Sequence, residues 1–129
     1  MVLNKKKVLI IEDNEDLQEI YRVYLEEAGF EVLQKLDGLM WLTELVDRKP
    51  DLILLDIMMP QMNGFEVLDV IKNQSSYSSP IIVCSNLSQE RDVKKAYELG
   101  ADLYLKKSDF TGKQVAEKVI EFMKLKNII

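Results

Sequence analysis

Short continuous runs of apolar residues constrain the fold of this chain more than any other feature of its sequence. Four such runs occupy residues 8–11, 52–55, 81–84 and, more weakly, 103–105, and residues 30–33 form a fifth candidate. Apolar runs of this length are typical of parallel strands that are covered on both faces. The runs therefore predict a buried parallel sheet.

The stretches between these runs have the periodicity of helices. In the first stretch, apolar residues recur at the spacing of one helix face, at Leu17, Ile20, Tyr21, Tyr24, Leu25 and Ala28. Gly29 follows where a helix would end. Similar patterns run through residues 42–46, 67–71, 93–97 and 115–123. Strand and helix thus alternate five times, which predicts an α/β domain with right-handed crossovers.

Size and charge narrow the class of protein further. A chain of 129 residues has the length of one domain, and we expect a single domain over residues 1–129 without an output domain. The net charge of -5 argues against direct binding to nucleic acid. No apolar run is long enough to insert into a membrane. A single cysteine, Cys84, lies inside an apolar run and permits no internal disulfide, so we expect a cytoplasmic protein.

Polar residues follow four of the predicted strands, and in an open parallel sheet this is the edge where ligands bind. They are Glu12, Asp13, Asp56, Ser85, Lys106 and Lys107. Carboxylates that lie close together repel each other, and a hard divalent cation such as Mg2+ relieves that repulsion. One carboxylate could then attack phosphorus, while the cation, a lysine and a hydroxyl bind the phosphoryl oxygens.

Three segments resemble the receiver domains of two-component response regulators. The most characteristic is Leu-Leu-Asp-Ile-Met-Met-Pro-Gln-Met-Asn-Gly at residues 54–64, with proline four and glycine eight positions after Asp56. Residues 8–15 resemble the acidic-pair segment of that family, and residues 100–107 resemble its last-strand segment. The resemblance implies a flavodoxin-like (βα)5 three-layer sandwich with strand order 2-1-3-4-5.

The resemblance also implies roles for the acidic residues. Asp56 would accept a phosphoryl group from a sensor histidine kinase or a histidine phosphotransfer protein. Asp13 would bind Mg2+ directly together with Asp56, Glu12 would assist, and the Met58 carbonyl would be a further ligand. Phosphorylation would then change the binding of a downstream protein target.

Three residues on the last two strands complete the implied site. Ser85 would hydrogen-bond the phosphoryl group, Lys107 would pair with it, and Tyr104 would reorient when Ser85 moves inward. The direction of the strand does not choose between Lys106 and Lys107, but the spacing from Tyr104 favours Lys107. Ser108 stands where the family usually has proline, which leaves the geometry of the Lys107–Ser108 bond open.

The residues two positions after Asp56 and Ser85 bear on how long a phosphoryl group would last. In the family they flank the path of an attacking water, and here they are Met58 and Leu87. Neither can orient a water or accept its proton. We therefore expect slow loss of the phosphoryl group.

Three other functions are compatible with parts of the pattern. An aspartate-dependent phosphohydrolase would need a second acid two residues after its nucleophile, where this chain has Met58. A flavodoxin-like electron carrier would need a phosphate-binding loop after its first strand, where this chain has Glu12 and Asp13. A degenerate receiver that only binds proteins remains the main alternative, because Ser108 and Asn86 depart from the family pattern.

Overall fold

A computed structural model describes residues 5–35, 45, 47–59, 62–73, 79–87 and 89–129. Its centre is a five-stranded sheet in the order β2-β1-β3-β4-β5, in which all neighbouring strands are parallel. The strands are β1 (Lys7–Ile11), β2 (Glu31–Lys35), β3 (Leu52–Leu55), β4 (Ile81–Ser85) and β5 (Leu103–Lys106). The predicted fold class and strand order are confirmed.

Four helices within the described residues connect or follow these strands. They are α1 (Glu15–Glu27), α2 (Gly64–Lys72), α3 (Glu90–Glu98) and α4 (Gly112–Leu125). The helix predicted before Pro50 lies mostly outside the described residues, although Leu45 is helical and its carbonyl accepts the Lys49 N–H at 3.2 Å. In the described part of the chain, no helix has the length and apolar character needed to span a membrane.

Local signals fix where the first and last helices begin. The Asn14 side chain caps α1 by accepting the Leu17 N–H at 3.0 Å. Thr111 and Gln114 cap α4 reciprocally, each side chain bonding the other residue's N–H. After α1 the chain turns at Gly29, whose φ of +97° suits a residue without Cβ. These caps set the starts of α1 and α4, and α1 ends just before Gly29, as the sequence predicted.

Two apolar layers enclose the sheet. One face packs against α1 and α4, and the other packs against α2 and α3. Two residues assigned to apolar helix faces are less buried than expected, since Ile20 is 39% exposed and Tyr97 is 45% exposed. On α1 the buried stripe is instead Gln18, Tyr21 and Leu25. Ile20 lies beside Gly112 at the border between α1 and α4, which accounts for its partial exposure.

Side chains hold the amino ends of neighbouring strands together. Asp51 accepts the Lys7 N–H through Oδ2 and donates its own N–H to the Lys7 carbonyl, both at 2.8 Å. Asp102 forms the same reciprocal pair with Ile81, again at 2.8 Å for both bonds. The buried Ser79 hydroxyl donates to the Pro50 carbonyl at 2.6 Å. We call these three sets of bonds the amino-end clamps.

Candidate functional site

Three carboxylates come together at the carboxyl edge of the sheet. Glu12 and Asp13 follow β1 and Asp56 follows β3, and one oxygen of each lies within 4.8 Å of the others. Glu12 is 4% exposed and Asp56 is 5% exposed, whereas Asp13 is exposed to solvent. The pairing of β1 with β3 positions this group, because Ile11 and Leu55 are register partners and each leads directly to its acid.

Lys107 links the two buried carboxylates. Its Nζ lies 2.8 Å from Asp56 Oδ2 and 2.6 Å from Glu12 Oε1. Lys106, by contrast, ends β5 with an exposed side chain. Of the two adjacent lysines, the structure therefore brings Lys107 to the acids, as the spacing from Tyr104 indicated.

Burial disfavours the charged forms of Glu12 and Lys107, these contacts favour them, and the pKa of both groups is raised. Burial raises the pKa of the Glu12 carboxyl, and hydrogen bonds from Lys107 and the Asn14 N–H offset this only in part. Burial alone would lower the pKa of the Lys107 ammonium, but its hydrogen bonds to Asp56 and Glu12 outweigh burial and raise it. Lys107 therefore stays charged at neutral pH and partly neutralises the acidic group.

The chain after Asp56 turns tightly so that its backbone stays close to the carboxylate. The Met58 N–H donates to Asp56 Oδ1 at 2.9 Å, and the Gly64 N–H donates to the Ile57 carbonyl at 3.2 Å. A Cβ at position 64 would collide with the Ile57 backbone, which explains the glycine eight residues after Asp56. Met58 itself is 56% exposed.

Ser85 and Tyr104 are linked through the backbone of one residue, Leu87. Ser85 is fully buried, and its Oγ accepts the Leu87 N–H at 3.3 Å. The Tyr104 hydroxyl donates to the Leu87 carbonyl at 2.6 Å, and the Tyr104 N–H donates to the Tyr97 hydroxyl at 3.0 Å. A hydrogen-bonded path therefore runs from the Ser85 hydroxyl through the loop after β4 to Tyr97 on α3.

The chain after Lys107 accommodates serine without a cis bond. The Lys107–Ser108 peptide is trans, and residues Lys107–Asp109 form a single 3-10 turn. The Phe110 N–H closes this turn by donating to the Lys107 carbonyl at 3.3 Å. The departure from the family pattern at Ser108 is therefore compatible with a lysine side chain that reaches the acids.

One buried residue near the site was absent from our sequence analysis. Gln18 on α1 donates its side-chain N–H to the Glu12 carbonyl. A signal for it was present, because Gln18 shares the spacing of Tyr21 and Leu25 on the apolar stripe. A polar residue at a core position of a helix next to a predicted site thus indicates a buried side chain that bonds to the site.

The donor set fits a hard divalent cation. Carboxylate oxygens are the ligands that Mg2+ prefers, and at about 2.0–2.1 Å from the ion two opposite ligands lie at most about 4.2 Å apart. The oxygens of Glu12, Asp13 and Asp56, within 4.8 Å of one another, would need only a small inward movement to share one ion. Because Asp13 is exposed beside two buried acids, a bound ion would be reachable from solvent on the Asp13 side.

Comparisons with known proteins agree with this geometry. The family model for the response regulator receiver domain matches residues 8–120. PhoP of Bacillus subtilis, an alkaline phosphatase synthesis transcriptional regulatory protein, is 34% identical over 114 residues, which are 88% of this chain and 47% of PhoP. The chain thus spans about half the length of that relative. It belongs to the response regulator receiver domain family.

Solved structures show the same fold. Chemotaxis protein CheY4 of Vibrio cholerae has a TM-score of 0.82 and 26% identity, and the match covers 92% of this chain and 98% of CheY4. A Mn2+-bound form of the response regulator Rcp1 has a TM-score of 0.76 and 29% identity, and the match covers 92% of this chain and 91% of Rcp1. The flavodoxin-like arrangement of the sheet is shared with both.

Proposed function

We propose that this receiver domain accepts a phosphoryl group on Asp56 from a histidine kinase or a histidine phosphotransfer protein. The observation that carries the proposal is the placement of Asp56. Its carboxylate is buried at the end of β3, one oxygen is held by Lys107 at 2.8 Å, and the other is held by the Met58 N–H at 2.9 Å. A carboxylate fixed in this way is oriented for attack on phosphorus.

Mg2+ is the cofactor that we propose for this reaction. Asp13 and Asp56 would bind it through oxygen, with Glu12 as an assisting ligand and the Met58 carbonyl as a further one. The ion supplies positive charge that offsets the charge on the transferring phosphoryl group. The solved Mn2+-bound form of Rcp1 supports divalent cation binding by a similar chain.

Ser85 and Lys107 are the proposed partners of the phosphoryl oxygens. Lys107 already bridges the acids, and the negative charge of a phosphoryl group on Asp56 would compete with the two carboxylates for its Nζ. Ser85 is buried and its Oγ accepts the Leu87 N–H; its own O–H would donate to a phosphoryl oxygen, and the movement towards that oxygen would break the bond from Leu87. Loss of that bond would free the N–H of Leu87, the residue whose carbonyl accepts the Tyr104 hydroxyl. In this way phosphorylation would alter the surface that binds a downstream protein.

Incubation with acetyl phosphate and Mg2+, followed by intact mass measurement, tests this function directly. We expect a gain of one phosphoryl group in the parent protein and none in Asp56→Asn. The matched control is Asp16→Asn, because Asp16 is an exposed acid in the first turn of α1 that lies outside the acidic group. Labelling of Asp56→Asn at the parent level would disprove the assignment.

The same measurement separates phosphoryl acceptance from the alternative of a degenerate receiver that only binds proteins. If that alternative is right, neither the parent protein nor the control Asp16→Asn gains a phosphoryl group, although both are folded. The bond from Lys107 to Asp56 favours phosphoryl acceptance, since the basic residue needed beside the acceptor is in place.

A further inference from the structure

Gln18 is a polar side chain in a position that the fold otherwise gives to apolar residues. It lies one turn into α1, is 1% exposed, and shares its stripe with Tyr21 and Leu25. Burying an amide is unfavourable unless it forms hydrogen bonds, so its presence there calls for a specific partner. One such partner is the main-chain carbonyl of Glu12, at the point where β1 passes into the acidic turn.

The turn formed by residues 12–14 depends on side chains for its shape. The Asn14 N–H donates to Glu12 Oε2 at 3.0 Å, and the Asn14 side chain accepts the Leu17 N–H at 3.0 Å. Lys107 holds the other Glu12 oxygen at 2.6 Å. These bonds fix the Glu12 side chain and the start of α1. The bond from Gln18 fixes the backbone of the same turn, from inside the core.

We infer that Gln18 is a positioning residue for the carboxylates of Glu12 and Asp13, and that it sets how tightly they bind a divalent cation. The inference rests on the proposed function, because it concerns the same site. A Glu12 peptide held at its carbonyl keeps the two acidic side chains on either side of it directed towards Asp56. Without the bond, the turn relaxes and part of the binding free energy is spent on ordering it again.

The test replaces Gln18 with a residue of similar length that cannot donate. In Gln18→Met we expect the Mg2+ dissociation constant, measured by calorimetry, to rise about tenfold, as for other outer partners of metal ligands. Gln18→Asn keeps the amide on a shorter arm and should show the same rise, which covers the case that the methionine variant does not fold.

A matched control separates positioning from stability. Leu25→Met changes a fully buried residue on the same stripe of α1, far from the acidic turn. We expect it to lower the melting temperature about as much as the Gln18 variants while leaving Mg2+ affinity at the parent value. Unchanged affinity in both Gln18 variants, or an equal loss of affinity in Leu25→Met, would overturn the inference.

Failure of the proposed function gives a different result. If the parent protein itself shows no Mg2+ binding and no phosphoryl gain, the assignment of the site is wrong and the role of Gln18 falls with it. If the parent binds Mg2+ and is labelled while the Gln18 variants match it, the site stands and only the positioning role is disproved.

Discussion

The two halves of the carboxyl edge of the sheet are held together by different forces. At the ends of β1 and β3, charged groups bond one another directly, with Lys107 between Glu12 and Asp56. At the end of β4, uncharged hydroxyls bond to the backbone of Leu87, which donates its N–H to Ser85 and accepts the hydroxyl of Tyr104 from within β5. Hydrogen bonds between charged groups are roughly twice as strong as those between neutral groups.

This difference suggests a division of roles between the halves. The charged half has the stronger bonds and contains Asp56, the proposed acceptor, which suits a group that would have to meet phosphorus in one orientation. The neutral half can exchange its hydrogen bonds at little cost, which suits an element that changes conformation. The predictions below test that division in order of decreasing expected effect.

Loss of the Lys107 ammonium should destabilise the charged half more than any other change. Lys107→Met leaves Glu12 and Asp56 buried without a counter-charge, and we expect a loss of about 3 kcal/mol in the free energy of unfolding at neutral pH. Since the Lys107 pKa is raised above its ordinary value of 10.5, this contribution should be complete below that pH and disappear as pH rises through the folded-state value. Urea denaturation at several pH values measures it.

Lys106→Met is the control for that substitution, because its side chain is exposed and should contribute no more than about 0.5 kcal/mol. Equal losses from the two lysines would show that the charged half is not held by Lys107.

Mg2+ should stabilise the charged half by mass action. At a Mg2+ concentration of about 100 times the dissociation constant, binding adds about 2.7 kcal/mol to the free energy of unfolding. Asp13→Ala should lose most of this gain, since Asp13 is the proposed direct ligand. Thermal melts with and without Mg2+ measure the effect, with Asp16→Ala as the control. A gain in Asp13→Ala equal to that of the parent would place the ion elsewhere.

Loss of one hydroxyl should affect the neutral half more weakly. Tyr104→Phe removes the bond to the Leu87 carbonyl and should lower the free energy of unfolding by about 1 kcal/mol. It should also reduce the chemical-shift changes that phosphorylation produces at residues 96–104. Tyr97→Phe removes the other hydroxyl on the path and serves for comparison. If phosphorylation of the parent shifts signals in the acidic pocket alone, the neutral half is not the switch.

The smallest predicted effect concerns loss of the phosphoryl group. Met58→Asn and Leu87→Glu would each supply a group that can orient a water, and we expect decay about threefold faster than in the parent, or ~0.7 kcal/mol. Intact mass followed after removal of the donor measures the rate. Val70→Asn introduces the same polarity at an exposed position on α2 and should not change it. Equal decay in all variants would contradict shielding by Met58 and Leu87.

The sequence predicted the strands and the acidic group because both depend on local patterns. The apolar runs define the strands, and the edge where they end brings Glu12, Asp13 and Asp56 together whatever the loops do. The contact between Lys107 and Glu12 joins residues 95 positions apart, so the adjacent Lys106 could be set aside only by the family spacing. The roles assigned to these residues remain predictions.

Contacts made by main-chain atoms were beyond prediction. Nothing in the sequence marks the Leu87 backbone as the link between Ser85 and Tyr104, because nearly any residue supplies the same N–H and carbonyl. The exposure of Ile20 and Tyr97 was missed for a related reason. Periodicity gives the direction of a helix face but does not give how far the neighbouring helix extends over it.

The amino-end clamps have a consequence for how this domain tolerates sequence change. Asp51, Ser79 and Asp102 fasten the sheet at the end opposite the acidic group. In a scan of all single substitutions, changes at these three positions should reduce the yield of folded protein while leaving the activity of each folded molecule intact. Changes at Asp56 or Ser85 should reduce the activity of each folded molecule while leaving the yield of folded protein intact. Substitutions that reduce abundance would therefore lie at the amino ends of the strands, and substitutions that reduce activity would lie at their carboxyl ends.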